Sequence, residues 1–262
     1  MVAEWAGRSK PDEREWAEAL SPVTAGPVVA GDVELWSVEL DRDCGDPDGI
    51  SLLSAPERAR AARIRREGDR RRYVASHLWL RRLLAGRLGL ELDRIEYRTG
   101  EAGKPELSWP ASSGLRFSMS RSGGLALYAF GTGREVGVDV EECRSDTDLA
   151  ALEDRFLSPG EQAALSRLHG PARRDAFYRT WARKEAFLKA VGVGLSVAWD
   201  AIDTTGDVVR LERDLGRVNM GQQPWALSDL EVGAPYAAAV SVEGGLGAAR
   251  LLVRQAGAST DA

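Results

Sequence analysis

Two Ser-x-x-Glu helix starts, each with proline in the first turn, organise this chain of 262 residues. They are Ser54-Ala55-Pro56-Glu57 and Ser158-Pro159-Gly160-Glu161. Such a capping box satisfies N–H groups that a helix start leaves orphaned, and proline fits there because it has no N–H to lose. A strand pattern precedes each start, at residues 32–40 and 136–141. A longer helical pattern follows each. The first places Tyr73, His77, Leu80, Leu84 and Leu88 at helical spacing after a break at Gly68-Asp69. The second runs over residues 171–191 with Phe177, Trp181, Leu188 and Val191 as its apolar stripe, and Gly192 and Gly194 end it. Strand patterns close both halves, at 95–99, 115–118 and 125–130, then at 201–204, 208–212, 225–232 and 236–242. Ser122-Gly123-Gly124 reads as a hairpin turn. Strands come in runs rather than alternating singly with helices, so an α+β fold is expected rather than a doubly wound sheet. The two halves meet near residues 131–135, and no repeat is visible by identity.

The ends read differently. Residues 1–30 contain Pro11, Pro22, Gly26 and Pro27 and form an expected N-terminal tail, with a short helix possible over 12–20. Residues 31–133 and 134–243 are the expected lobes, and residues 244–262 a tail expected to fray. No apolar run approaches the roughly 20 residues of a membrane helix. The acidic N-terminus has no apolar signal core, so a cytoplasmic protein is expected. Two cysteines, Cys44 and Cys143, fit a reducing compartment more simply than a disulfide.

Net charge is −5, which argues against a nucleic-acid binder. The charge is unevenly spread: between Arg58 and Arg87 lie eleven arginines and two acids, Glu67 and Asp69. Only four of the 35 basic residues are lysine: Lys10, Lys104, Lys184 and Lys189. Lysine in so arginine-rich a chain marks positions where a compact ammonium on a flexible stem is wanted.

Alternation along the strand at 136–141 sends Val136, Val138 and Val140 to one face and Gly137, Asp139 and Glu141 to the other. The two carboxylates stand roughly 6.5–7 Å apart at the backbone and can converge on one Mg²⁺; a solvated strand face is the plainer alternative. Glu185 and Lys189, four apart in Trp181-Ala182-Arg183-Lys184-Glu185-Ala186-Phe187-Leu188-Lys189, share a helix face. A carboxylate base beside ammonium groups suits phosphoryl-type transfer, while an ordinary surface pair is the alternative. Gly103-Lys104-Pro105 presents a lysine on a shaped loop. Ser118, Ser120, Arg121 and Ser122 place hydroxyls and a guanidinium at a strand end, where they could hold a phosphate. His77 reads as a core or boundary histidine, and His169 as a turn residue.

Taken together, and in this order, Gly-Lys-Pro, Phe-x-x-Ser-x-Ser, Gly-Val-Asp-Val-Glu and Trp-x-x-Lys-Glu-Ala-Phe-x-Lys resemble the Sfp-type 4′-phosphopantetheinyl transferases over about residues 32–242. The resemblance implies two pseudo-symmetric α+β lobes with coenzyme A bound in the cleft between them. It implies Mg²⁺-dependent transfer of phosphopantetheine from coenzyme A to a serine of an apo acyl or peptidyl carrier protein of polyketide or nonribosomal peptide assembly. Adenosine 3′,5′-bisphosphate would be released. By the family pattern Asp139, Glu141 and Glu185 would hold Mg²⁺, with Glu185 also the base and Lys189 neutralising phosphate charge. Lys184 and Trp181 would position that helix, with Lys184 among the cations around coenzyme A. Lys104, Ser120 and Arg121 would contact the nucleotide end, supported by Arg58 and Arg81. Arg121 departs from the family's usual Ser-His-Ser. Arginine keeps its charge at every working pH, so phosphate binding should survive the change. A monomer is expected, since one chain carries both lobes. The competing readings are another Mg²⁺-dependent nucleotide phosphoryl-transfer enzyme or hydrolase, and a carrier-binding module without chemistry.

Overall fold

A computed structural model describes residues 33–42, 47–99, 104–109, 114–145, 148–215 and 223–244, and the backbone of 251–256. The expected N-terminal tail and its helix, with Lys10, Cys44 and Gly103, lie outside the described residues. Cys143 is a free thiol.

The chain opens with β1 (Val33–Glu39) and a 3-10 turn at Pro47–Leu52. Helix α1 (Ala55–Arg63) and the 22-residue helix α2 (Glu67–Leu88) follow. Strands β2 (Glu96–Thr99), β3 (Pro105–Trp109), β4 (Leu115–Ser122) and β5 (Leu125–Thr132) complete the first half. The second half repeats the order. It has β6 (Val136–Glu142), short helices α3 (Leu149–Phe156) and α4 (Pro159–Leu165), and the 22-residue α5 (Gly170–Val191). Strands β7 (Ile202–Asp203), β8 (Arg210–Leu211), β9 (Trp225–Asp229) and β10 (Tyr236–Glu243) close it. The fold is α+β. Gly68-Asp69 does not break a helix as expected. Helix α1 already ends at Arg63, and both residues sit in the first turn of α2.

Both capping boxes form, and the halves match further in their side chains. Ser54 and Glu57 cap α1, as Ser158 and Glu161 cap α4. Each buried glutamate meets a buried cation fourteen residues after its long helix begins: Arg81 in α2 (Nη2 2.7 Å from Glu57) and Lys184 in α5 (Nζ 2.8 Å from Glu161). Each cation also donates to two carbonyls three residues apart, Leu92 and Ile95 for Arg81, Trp199 and Ile202 for Lys184. Each glutamate accepts one further hydroxyl, from Tyr97 and from Thr204. A repeat that identity conceals survives as a repeated strut.

With β11 (Leu251–Ala256) at its edge, the four-stranded sheet runs β11-β1-β5-β4, and the three-stranded sheet runs β6-β10-β9. Strand β11 pairs parallel with β1, Val33 opposite Leu251. Residues 251–256, within the stretch expected to fray, thus close an edge of the first half's sheet, because their backbone finds a ladder partner far away in sequence.

Alternation decides the layers. Val33, Leu35, Leu125, Leu127 and Ala129 pack against Val136, Val138, Val140, Ala238, Val240 and Val242. The other face of the first sheet packs Trp36, Val38, Tyr128 and Phe130 under α2. The other face of β6 meets α5. A Cβ on Gly137 would overlap the Ala186 carbonyl oxygen and the Ala190 nitrogen, so glycine lets helix and strand touch. The face carrying Asp139 is therefore covered by a helix, and the solvated alternative does not hold.

Candidate active site

The site begins where the edge strands β4 and β6 lie side by side. No backbone ladder joins them. Alternation places Ser118, Ser120 and Ser122 on one face of β4, and each hydroxyl bonds to β6. Ser118 Oγ accepts from the Val138 N–H (3.2 Å), Ser120 Oγ donates to Asp139 Oδ1 (2.7 Å), and Ser122 Oγ accepts from the Glu142 N–H (3.0 Å).

Helix α5 adds the cation. Lys189 Nζ lies 2.6 Å from Asp139 Oδ1 and 2.9 Å from Ser120 Oγ. One turn earlier, Glu185 is half-buried and makes no hydrogen bond or ion pair among the described residues. Asp139 is 2% exposed, and its Oδ2 is buried with no hydrogen-bond partner. Glu141 accepts from Ser122 Oγ at 3.2 Å.

All three carboxyls are held above their ordinary range. Burial is the main cause for Asp139, opposed by Lys189 and Ser120. Burial, then the Asp139 charge, pushes Glu141 up to about 7. Burial, then Asp139, raises Glu185, with Lys189 opposing. These groups are mutually repelling anions in a poorly solvated place. A divalent cation with hard-oxygen preference fits them: one oxygen has no partner, one carboxylate is unbonded, and every member gains if positive charge arrives. The described carboxylates do not close into a metal-holding group of three by themselves. The Lys189 ammonium sits on Asp139. Mg²⁺ moreover takes water and phosphate oxygens as well as carboxylates.

One consequence is measurable on the metal-free protein. Glu141 has a usual value of 4.5 and a folded value of about 7. In that window the folded state keeps a proton that the unfolded chain has released, so stability falls as pH rises through it. In chelator, the melting temperature is expected to drop by several degrees between about pH 5 and pH 8. Glu141→Gln should flatten that slope in thermal melts.

The other residues expected at the site have protein neighbours of their own. Lys184 is held inside the second half. It is fully buried and donates to Glu161 and to the Trp199 and Ile202 carbonyls, which leaves it positioning α5 from beneath. Arg81 is likewise bonded to Glu57, Leu92 and Ile95. Lys104 reaches across the halves, to Glu135 Oε2 (2.6 Å) and to the Ala190 carbonyl (2.7 Å) near the end of α5. It clasps that helix end, where a cation complements the helix dipole. Arg58 is exposed on α1 and bonded to the Leu53 carbonyl. Arg121 stands over the Tyr73 ring, 5.5 Å from its centroid. Trp181 packs among Phe156, Phe177 and Trp199. His77 Nδ1 lies 3.0 Å from Glu57 Oε1, the boundary role expected of it. Sequence reasoning missed the Glu57 cluster and the joining role of Ser118 and Ser122. The serine alternation in β4 was the available signal.

The sequence of a 4′-phosphopantetheinyl transferase from Bacillus subtilis is 30% identical, over 79% of this chain and 91% of that protein. This chain belongs to the 4′-phosphopantetheinyl transferases. The model of the 4′-phosphopantetheinyl transferase superfamily matches residues 135–240, which hold Asp139, Glu141, Glu185 and Lys189. The Nostoc sp. 4′-phosphopantetheinyl transferase HetI is 37% identical over 64% of this chain and 72% of its own length. The Bacillus subtilis transferase Sfp is 26% identical over 79% of this chain and 91% of its own. The chain is thus a member of an enzyme family. Among the described residues no helix is long and apolar enough to cross a membrane.

Proposed function

We propose that this transferase moves 4′-phosphopantetheine from coenzyme A to a serine of an apo acyl or peptidyl carrier protein, with the substrates between the halves 31–133 and 134–243. The observation that carries the reading is the meeting of Asp139, Glu185 and Lys189 at the seam of β4, β6 and α5, with one Asp139 oxygen left without a partner. Asp139, Glu141 and Glu185 would hold Mg²⁺, which when bound supplies positive charge to a pyrophosphate.

The chain's own groups have defined tasks. Glu185, held half-buried and above its ordinary range, takes the proton of the carrier serine hydroxyl, directly or through water. The serine oxygen forms a bond to the phosphorus on the pantetheine side of the pyrophosphate. The bond from that phosphorus to the bridging oxygen breaks, and its electron pair leaves with adenosine 3′,5′-bisphosphate. Lys189, anchored on Asp139 and Ser120 but one-third exposed along its side chain, offers its ammonium to the charge that grows on the leaving group. Arg121 supplies a permanent charge toward the nucleotide end. The same reading makes the protein a cytoplasmic monomer.

The test is incubation with coenzyme A, Mg²⁺ and a panel of apo carriers, followed by mass spectrometry. The carrier should gain one phosphopantetheine arm, and the gain should vanish in chelator. Release of inorganic phosphate or pyrophosphate without any carrier, and no gain on any carrier, would replace this reading with nucleotide hydrolysis.

A further inference from the structure

The three β4 serines do not do the same work, and the difference points to a residue with a specific task. Ser118 Oγ accepts the Val138 N–H and bonds to no carboxylate among the described residues. Ser120 is bonded to Asp139 and Lys189. Ser122 accepts the Glu142 N–H at 3.0 Å and donates to Glu141 Oε2 at 3.2 Å. We propose that Ser122 is a positioning residue that aims the Glu141 carboxylate for cation binding. The proposal rests on the reading of Asp139, Glu141 and Glu185 as the cation site.

A hydroxyl has one proton to give. With one lone pair engaged by the backbone N–H of β6, the hydroxyl is oriented, and its proton is directed at Glu141. Such a relay from N–H to hydroxyl to carboxylate strengthens along its length. Ser122 Oγ is the one hydrogen-bond donor to the Glu141 side chain among the described residues. It leaves the second carboxylate oxygen unengaged.

Ser122 is itself held firmly. It precedes the Gly123-Gly124 turn, and Gly123 has φ +54°, a region open to glycine. The Gly124 N–H donates to Tyr236 Oη at 3.1 Å, and Tyr236 lies opposite Glu142 in the ladder between β10 and β6. The tip of the β4–β5 hairpin is thus pinned to the strand pair that carries the carboxylates, and a shift of the hairpin would move Ser122 and Glu141 together. Groups that orient a metal ligand typically change metal affinity by about 10–100-fold when removed.

The experiment measures Mn²⁺ binding to the full chain with coenzyme A present, from the loss of the free-ion electron paramagnetic resonance signal. Ser122→Ala and Ser122→Val should weaken Mn²⁺ binding by about 10–100-fold. Ser122→Thr, which keeps the hydroxyl on a β-branched frame matching Val, should bind like the unaltered protein. Ser118→Ala should lower the melting temperature and leave Mn²⁺ affinity as it was. Unaltered affinity in Ser122→Val, or equal loss in Ser118→Ala, overturns the proposal while leaving the cation site standing. No Mn²⁺ binding by the unaltered protein overturns the cation-site reading and this proposal with it.

Discussion

Glu185→Gln is expected to lower the rate of transfer by about 10²–10⁴-fold and to leave the fold intact. The size follows from losing a positioned proton acceptor, and loss of a cation ligand adds to it. That the fold survives follows from what Glu185 touches. It makes no hydrogen bond or ion pair among the described residues, while burial and the Asp139 charge both work against its ionised form. Glutamine keeps the shape and removes the repulsion, so the melting temperature of the metal-free protein should hold or rise. Transfer rates on a carrier, read by mass spectrometry, are compared with thermal melts of the same preparation. A folded variant with normal turnover would remove Glu185 from the mechanism. A variant that fails to fold would show instead that the carboxylate has a structural partner.

The carboxylate cluster was legible in the sequence because it obeys two local periods. Alternation put Asp139 and Glu141 on one strand face, and a four-residue step put Glu185 and Lys189 on one helix face. What sequence alone left open was whether those faces meet. Gly137 settles that, since it removes the one side chain that would hold α5 off β6. The cations were less legible. A charge count does not say where each charge is neutralised, and three of those expected at the ligand pair with groups of the protein: Lys184, Arg81 and Lys104. For Lys184 the geometry was within reach. Lys184 and Lys189 are five residues apart, a turn of roughly 140° around a helix, so they cannot share a face. The parallel pairing of β11 with β1 had no local signal, because it joins residues 33–38 to residues 251–256. The strut shared by the halves was hidden for another reason. Arginine serves in one half and lysine in the other, and tyrosine in one is matched by threonine in the other, so identity is low where the contacts are the same.

That strut carries the largest expected effect on stability. Lys184→Met should cost about 3–5 kcal/mol of unfolding free energy, because it strips the partner from a buried charge. Glu161 is 1% exposed, so water cannot take the ammonium's place. The Ser158 and Thr204 N–H groups and the Thr204 hydroxyl would remain on Glu161, but none of them carries charge. The Trp199 and Ile202 carbonyls would lose a donor as well. Lys184→Arg should recover part of the loss, since Arg81 holds the equivalent glutamate and two carbonyls in the first half. It should not recover all, because the site is fully buried around a slimmer side chain. Urea denaturation supplies the free energies. The same variants separate scaffold from chemistry. Measured well below its melting point, Lys184→Met should keep the KM for coenzyme A, because its ammonium points into the second half and away from Lys189 and Asp139. A large rise in that KM with stability unchanged would return Lys184 to the phosphate-binding set, and would mean that the ion pair with Glu161 opens when substrate arrives.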